Sequence, residues 1–277
     1  MPEQDYDSII RAALLEDMPR GDVTSESVIP AEAVSEAVLL AKEDGVLAGL
    51  EVAGRVFELV DPRVEFRAES ADGRAARKGD VLARLKGPTV SLLKAERTAL
   101  NFLQRLSGIA TATRRFVDAA AGTKARILDT RKTTPGLRLL EKYAVRMGGG
   151  TNHRLGLSDM VLIKDNHLRH VGSIAEAVRR ARAAAPAGMK VEVEVTSLDE
   201  LGQALAAGAD VVMLDNMSLD ETREAVAVSA GRVPLEVSGK VTLERVRDIA
   251  AAGVDLISVG ALTHSSPALD ISLEFLS

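Results

Sequence analysis

The spacing of apolar residues along this 277-residue chain changes character after its first third. From Tyr6 to Asp17, Ile9, Ile10, Ala13 and Leu14 recur at helical spacing. Asp17-Met18-Pro19-Arg20-Gly21-Asp22 then supplies the turn chemistry that ends the helix. Val38–Ala41 and Val64–Ala68 read as strands, the second by clean alternation, and Val81–Leu85 follows a Lys78-Gly79-Asp80 turn as another. Between Thr89 and Ala121 the pattern is helical again, with a stripe of Leu92, Leu93, Leu100, Leu103 and Leu106. Gly108 is expected to separate two helices there. It sets the expected boundary between an α+β domain at residues 1–107 and a second domain at 108–277.

Beyond that point short β-branched runs alternate with Ala-rich helices. The predicted strands are Arg126–Thr130, Met160–Lys164, Lys190–Val195, Asp210–Leu214, Pro234–Val237 and Asp255–Val259. Ile174–Ala185, Leu198–Ala207, Leu219–Ser229 and Leu243–Ala252 are the helices between the later ones. Gly208-Ala209-Asp210 and Gly253-Val254-Asp255 are near-duplicate helix-to-strand joints. Strand and helix repeating in this way imply a parallel sheet, and six such units favour an α/β barrel over an open sheet.

Composition narrows the function classes. Hydrophobic residues make up 46% of the chain and charged residues 27%, an ordinary globular balance that supports a barrel plus a small domain. No run approaches the roughly 18 consecutive apolar residues of a membrane span, and the acidic start lacks a signal-peptide pattern, so a cytoplasmic location is the default expectation. There is no Cys, which excludes disulfides, thiolate nucleophiles and Cys-ligated zinc. A net charge of −5 gives no global attraction to nucleic acid or to an anionic membrane. Yet residues 124–170 hold ten Lys/Arg against four Asp/Glu, together with His153, His167 and His170. These charges are interleaved with Gly and apolar strands rather than spread over an amphipathic helix.

An α/β barrel carries its site at the C-terminal ends of its strands. The first strand here ends in Asp129-Thr130-Arg131-Lys132-Thr133-Thr134, and the second in Lys164-Asp165-Asn166-His167. The third holds Glu192 and Glu194, the fourth ends in Leu214-Asp215-Asn216, the fifth in Ser238-Gly239-Lys240 and the sixth in Gly260. Six polar endings at one rim imply a shared site. Arg131, Lys132 and Lys164, with His153-Arg154 on an intervening loop, would repel one another unless anions occupied the cluster, so the ligand is expected to carry several carboxylates or phosphates. Glu194 and Asp215 could hold Mg²⁺ together with water and pyrophosphate, act as acid and base, or pair with Lys164. Ser238-Gly239 and Val259-Gly260-Ala261 suit a phosphate, because Gly admits close backbone approach. Other features read plainly: Gly148-Gly149-Gly150 as a helix end, His170 as solvated, Arg97 as a surface charge. The Lys78–Leu82 turn lacks the exposed hairpin Lys of a biotinyl or lipoyl carrier module.

Ordered motifs then point to a family. They are Leu15-Glu16-Asp17 with Gly21-Asp22-Val23-Thr24; Glu96-Arg97-Thr98-Ala99-Leu100-Asn101; Leu106-Ser107-Gly108-Ile109-Ala110-Thr111; and Thr130-Arg131-Lys132-Thr133-Thr134-Pro135-Gly136. The most specific is Asn152-His153-Arg154-Leu155-Gly156-Leu157-Ser158-Asp159, followed by Ile163-Lys164-Asp165-Asn166-His167. Over nearly its whole length the chain resembles the quinolinate phosphoribosyltransferases, the carboxylating nicotinate-nucleotide pyrophosphorylases. The resemblance implies an incomplete TIM-like α/β barrel preceded by an α+β open sandwich, with the last residues packing back on the latter. It implies that quinolinate and phosphoribosyl pyrophosphate give nicotinate mononucleotide, pyrophosphate and CO₂ with Mg²⁺, as in de novo NAD biosynthesis. Arg131, Lys132, His153, Arg154 and Lys164 would bind quinolinate. Thr130, Glu194 and Asp215 would serve the ribose and the Mg²⁺-pyrophosphate, and Ser238, Gly239, Lys240, Gly260 and His264 the 5′-phosphate. Arg97 would reach into the partner's site in a homodimer. The family usually follows the Ser-Gly pair with Gly or Asn; Lys240 departs from this.

Two other readings compete with this one. The homologous family associated with molybdenum transport shares Thr-Arg-Lys-Thr and His-Arg-Leu-Gly-Leu-Ser but typically lacks Ile-Lys-Asp-Asn-His, so Lys164 discriminates. A non-catalytic binder of anionic metabolites would gain nothing from Glu194 and Asp215, since carboxylates weaken anion binding unless a metal intervenes.

Overall fold

The computed structural model describes residues 6–276. In chain order the elements begin with helices α1 (Asp7–Asp17) and α2 (Val23–Val28), the latter capped by the Asp22 carboxylate, which accepts from the Ser25 N–H. Strands β1 (Val34–Ala41) and β2 (Gly45–Val46), helix α3 (Leu50–Val60) and strands β3 (Glu65–Ala68), β4 (Ala75–Ala76) and β5 (Val81–Pro88) follow. The long helix α4 (Thr89–Ala119) leads to β6 (Arg126–Leu128) and α5 (Arg138–Met147). Then come β7 (Val161–Ile163), α6 (Asp165–Val171), α7 (Ile174–Ala184), β8 (Val191–Val195), α8 (Leu198–Ala206), β9 (Val211–Asp215) and α9 (Leu219–Ser229). The chain closes with β10 (Leu235–Ser238), α10 (Leu243–Ala251), β11 (Leu256–Ser258), α11 (Ala261–His264) and β12 (Ile271–Phe275). No described helix is long and apolar enough to cross a membrane.

Two compact units emerge. The first gathers the residues up to Arg114, Thr133–Gly149 and the chain from Thr263 onward. Its antiparallel sheet has the order β12-β1-β5-β3. In β5, Leu85 and Gly87 are buried while Arg84 and Lys86 face solvent, the alternation of a sheet covered on one side. α3 buries Val52, Ala53, Val56 and Phe57, and the Phe57 ring stacks on Phe66 of β3 with centroids 6.0 Å apart. α3 is not foreseen in the sequence reading, whereas β12, paired with β1, is where the last residues pack back on the α+β sheet, expected there though not as a strand.

One expectation is overturned here. Gly108 does not separate two helices: α4 runs unbroken for 31 residues, and Gly108 lies buried within it. A Cβ at Gly108 would sit 2.0 Å from the Pro267 carbonyl oxygen, so the glycine serves a close backbone approach. The compact units therefore do not divide at 107/108, since α4 passes from one into the other.

The second unit comprises residues 115–132 and 150–262. Its six strands are all parallel, in the order β6-β11-β10-β9-β8-β7. No ladder joins the outer strands β6 and β7, and Thr151 instead runs beside Leu128 as a parallel bridge. Even so, residues from the C-terminal ends of all six strands line one cavity, which requires the sheet to curl. This is the incomplete α/β barrel. Ser173, Ser197 and Ser218 cap α7, α8 and α9 by accepting backbone N–H groups, so each rim loop turns cleanly into its helix.

Candidate active site

The cavity at the C-terminal strand ends has a volume of about 630 Å³. Strand alternation decides which residues face it. In β8, Glu192 and Glu194 share the inner face, and in β10 Glu236 and Ser238 do so. Leu162, Met213, Glu236 and Ser258 therefore form its floor. The rim is made of Thr130, Arg131, Lys132, Arg154, Lys164, Glu194, Asp215, Asn216, Ser238, Gly239 and Lys240, and His153 also lines it.

The basic wall is built by backbone geometry beyond β6. The Thr130 hydroxyl accepts the Lys132 N–H at 3.0 Å, turning the chain so that the Arg131-Lys132 pair sits at the mouth. Asp129, fully buried, accepts the His153 N–H at 2.9 Å and also binds the Asn152 amide, which ties the His153-Arg154 segment to the same strand end. Arg154 donates to the Met160 carbonyl at 3.0 Å. Its pKa is lowered by burial and by the nearby charge of Arg131. Two guanidinium groups strained against each other in this way favour an anion between them.

The two rim carboxylates have different partners. Lys164 Nζ forms a short ion pair with Glu194 Oε2. Asp215 is instead bound through its Oδ2 by the Asn216 side-chain amide at 2.7 Å. Beside them the Ser238-Gly239-Lys240 turn is unusual: Gly239 has φ +94° and Lys240 has φ 49°. A Cβ on Gly239 would lie 2.4 Å from Asn216 Oδ1, so only glycine fits.

A buried trio lies beneath. His153 Nε2 is 3.2 Å from Glu192 Oε2 and 3.5 Å from Glu236 Oε2, with all three side chains buried in the barrel interior. Their ligand atoms lie within 4.8 Å of one another. Burial works against a charged imidazole, but the two carboxylates outweigh it and bring the His153 pKa to about 9. Burial also pushes the Glu192 carboxyl up, with His153 pulling it partly back. His153 Nδ1 lies 2.8 Å from the Arg154 backbone nitrogen.

This arrangement can be set beside known proteins. Two family models match the chain: "Quinolinate phosphoribosyl transferase, N-terminal domain" over residues 22–107 and the C-terminal domain over 109–274. The chain belongs to the quinolinate phosphoribosyltransferase family. It is 47% identical over 260 residues to the probable carboxylating nicotinate-nucleotide pyrophosphorylase of Bacillus subtilis, covering 94% of this chain and 90% of that one. With the corresponding Mycobacterium leprae protein the identity is 48% over 273 residues, covering 96% and 95%. The nicotinate-nucleotide pyrophosphorylase structure from Francisella tularensis matches with a TM-score of 0.96 at 43% identity, over 100% of this chain and 98% of that one.

Of the residues expected at a quinolinate phosphoribosyltransferase site, eleven line the cavity: Thr130, Arg131, Lys132, His153, Arg154, Lys164, Glu194, Asp215, Ser238, Gly239 and Lys240. Gly260, Arg97 and His264 do not line it. Arg97 and His264 belong to the first unit. His153 enters differently from expectation, since both ring nitrogens already face protein groups. Glu236 was not singled out from sequence, and Asn216 was named only as part of the Leu214-Asp215-Asn216 strand ending. For Glu236 a signal existed: like Glu192 in Val-Glu-Val-Glu-Val, it is a carboxylate inside an apolar, doubly covered strand, Leu-Glu-Val.

Proposed function

We propose that this cavity transfers the phosphoribosyl group of phosphoribosyl pyrophosphate to quinolinate and releases CO₂, giving nicotinate mononucleotide and pyrophosphate, the step that feeds NAD synthesis. The observation that carries this reading is the division of one rim between a basic wall and a glycine turn, with two carboxylates between them. Quinolinate, a dicarboxylate, belongs at Arg131, Lys132 and Arg154, where the charge strain is greatest. The 5′-phosphate belongs at Ser238-Gly239-Lys240. Glu194, held by Lys164, and Asp215 lie between, where cationic charge develops on the ribose as pyrophosphate departs. The pyridine nitrogen supplies the attacking pair. Once alkylated, it draws electrons from the adjacent carbon, and CO₂ can leave. No protein nucleophile is required.

Mg²⁺ belongs to the same reading, entering with the pyrophosphate as part of the substrate. The donor set suits it: a hard carboxylate oxygen on Asp215 beside a cavity with room for phosphate oxygens and water. There it would offset charge on the leaving group. The molybdenum-transport relative is not favoured, since Lys164 is present and pairs with Glu194 in the site. We extend the reading to a cytoplasmic enzyme, in keeping with a Cys-free chain, and to a homodimer in which Arg97 completes the partner's site.

The division of the rim is tested by steady-state kinetics on two variants. Lys132→Ala is expected to raise KM for quinolinate by about tenfold or more, and Gly239→Ala to do the same for phosphoribosyl pyrophosphate, each corresponding to about 1.4 kcal/mol of lost binding. Equal effects of both variants on both substrates would contradict the assignment.

A further inference from the structure

Asn216 lines the cavity, yet the transfer reaction as proposed leaves it without a role. It is held both along the chain and across the sheet. β9 ends at Asp215, and only Asn216 and the buried Met217 separate it from Ser218, the N-cap of α9. A link this short, anchored at both ends, leaves the backbone little freedom. At Asn216 that backbone has φ 54°, a left-handed conformation that Asn tolerates better than most residues. Its N–H donates to the Ser238 carbonyl at 2.9 Å, which carries the pairing of Asp215 with Ser238 one residue past the strand ends. Its side-chain oxygen fills the space that a Cβ on Gly239 would take. Its amide nitrogen donates to Asp215 Oδ2 at 2.7 Å.

The last of these bonds decides how Asp215 meets a substrate. A carboxylate on an open rim can rotate and offer either oxygen. With Oδ2 engaged by the amide, Asp215 is left with Oδ1, which has no hydrogen-bond partner among the described residues. We propose that Asn216 is a positioning residue for the phosphoribosyl donor: its amide fixes the Asp215 carboxylate so that one oxygen faces the ribose hydroxyls, in register with the phosphate turn at Gly239. This rests on the reading of the cavity given above. An acceptor oriented in advance spares the substrate the entropy of ordering it. The register comes from one side chain touching both partners, with its nitrogen on the β9 carboxylate and its oxygen against the β10 glycine. Lys164 pairs with Glu194 and leaves Asp215 to Asn216.

Asn216→Gly separates the side chain from the backbone, since glycine keeps the left-handed conformation and the N–H bond to Ser238 while the amide is lost. Calorimetric titration in EDTA reads binding with no divalent cation taking part. Affinity for phosphoribosyl pyrophosphate should fall at least about fivefold, while inorganic phosphate and quinolinate each bind within about twofold of the unmodified protein. In steady-state kinetics with Mg²⁺, KM for phosphoribosyl pyrophosphate should rise and KM for quinolinate should hold. If the unmodified protein binds neither quinolinate nor phosphoribosyl pyrophosphate, the functional reading fails, and this inference with it. An unchanged affinity for phosphoribosyl pyrophosphate would overturn the proposal alone. So would an equal fall for all three ligands, the mark of a merely structural role. Should Asn216→Gly not fold, Asn216→Asp carries the test, because it keeps the shape but sets an acceptor where the donor stood. Affinity for phosphoribosyl pyrophosphate should then fall at least as far, and binding that stays unchanged would overturn the proposal.

Discussion

At Lys240 the backbone holds φ 49°, the left-handed region in which an L side chain costs about 1–2 kcal/mol. The Gly or Asn expected there from the family pattern would suit this turn after β10, which needs a residue that tolerates the left-handed conformation. Lys240 accepts the strain, and its carbonyl receives the Arg245 side chain at 3.0 Å. Lys240→Gly should therefore leave stability unchanged or raise it by up to about 1 kcal/mol in urea unfolding. A loss larger than that would mean the left-handed turn is not the conformation held in solution. The same scale shows what sequence conveys and what it does not. Arg131, Lys132, Arg154 and Lys164 were legible as a charge anomaly, because four cations at strand ends and the loop between them have few structural uses. The role of His153 was not, because the tautomer of a ring depends on which groups face its two nitrogens, and Glu236 comes from a strand 83 residues further on.

At the scale of elements, α4 shows how a local rule yields to packing. A glycine within a helical pattern reads as a break, since Ala is favoured over Gly by about 1 kcal/mol in a helix interior. Gly108 persists because the Pro267–Ala268 backbone lies against it, with a Cβ position 2.0 Å from Pro267 O and 3.0 Å from Ala268 Cα. Gly108→Ala should thus destabilise the protein, by about 2 kcal/mol or more, despite its better helix propensity. Chemical denaturation measures this directly, and a stabilised variant would show that the close approach is absent. The six parallel strands were legible as short apolar runs alternating with Ala-rich helices, two of them, β9 and β11, following the Gly-Ala-Asp and Gly-Val-Asp joints. α3 was missed although Val52, Ala53, Val56 and Phe57 mark its buried face. β12 escaped because its partner, β1, lies more than two hundred residues earlier, and such pairing leaves no local signal.

For the whole molecule, the two compact units interleave along the chain, because the first takes back residues 133–149 and the C-terminal stretch from Thr263. A linear boundary read from periodicity cannot express this, although the two family models do meet at residues 107 and 109. Arg97 lies in the first unit with its side chain 61% exposed and its ion pair to Glu96 stretched to 4.0 Å, a cation held only weakly by its own chain. If it completes a partner's site, Arg97→Ala and Lys164→Ala should each be nearly inactive. Mixed and reassembled in equal amounts, they should regain roughly a quarter of the original activity, since random pairing leaves one intact site in half the dimers. No recovery, with subunit exchange demonstrated, would exclude action across an interface.

The proposed reaction yields chemically distinct products. Unmodified protein incubated with millimolar quinolinate, phosphoribosyl pyrophosphate and Mg²⁺ should consume quinolinate and release pyrophosphate, CO₂ and nicotinate mononucleotide in equal amounts. Quinolinate recovered unchanged, or the monocarboxylate nicotinate accepted in its place without CO₂ release, would contradict it.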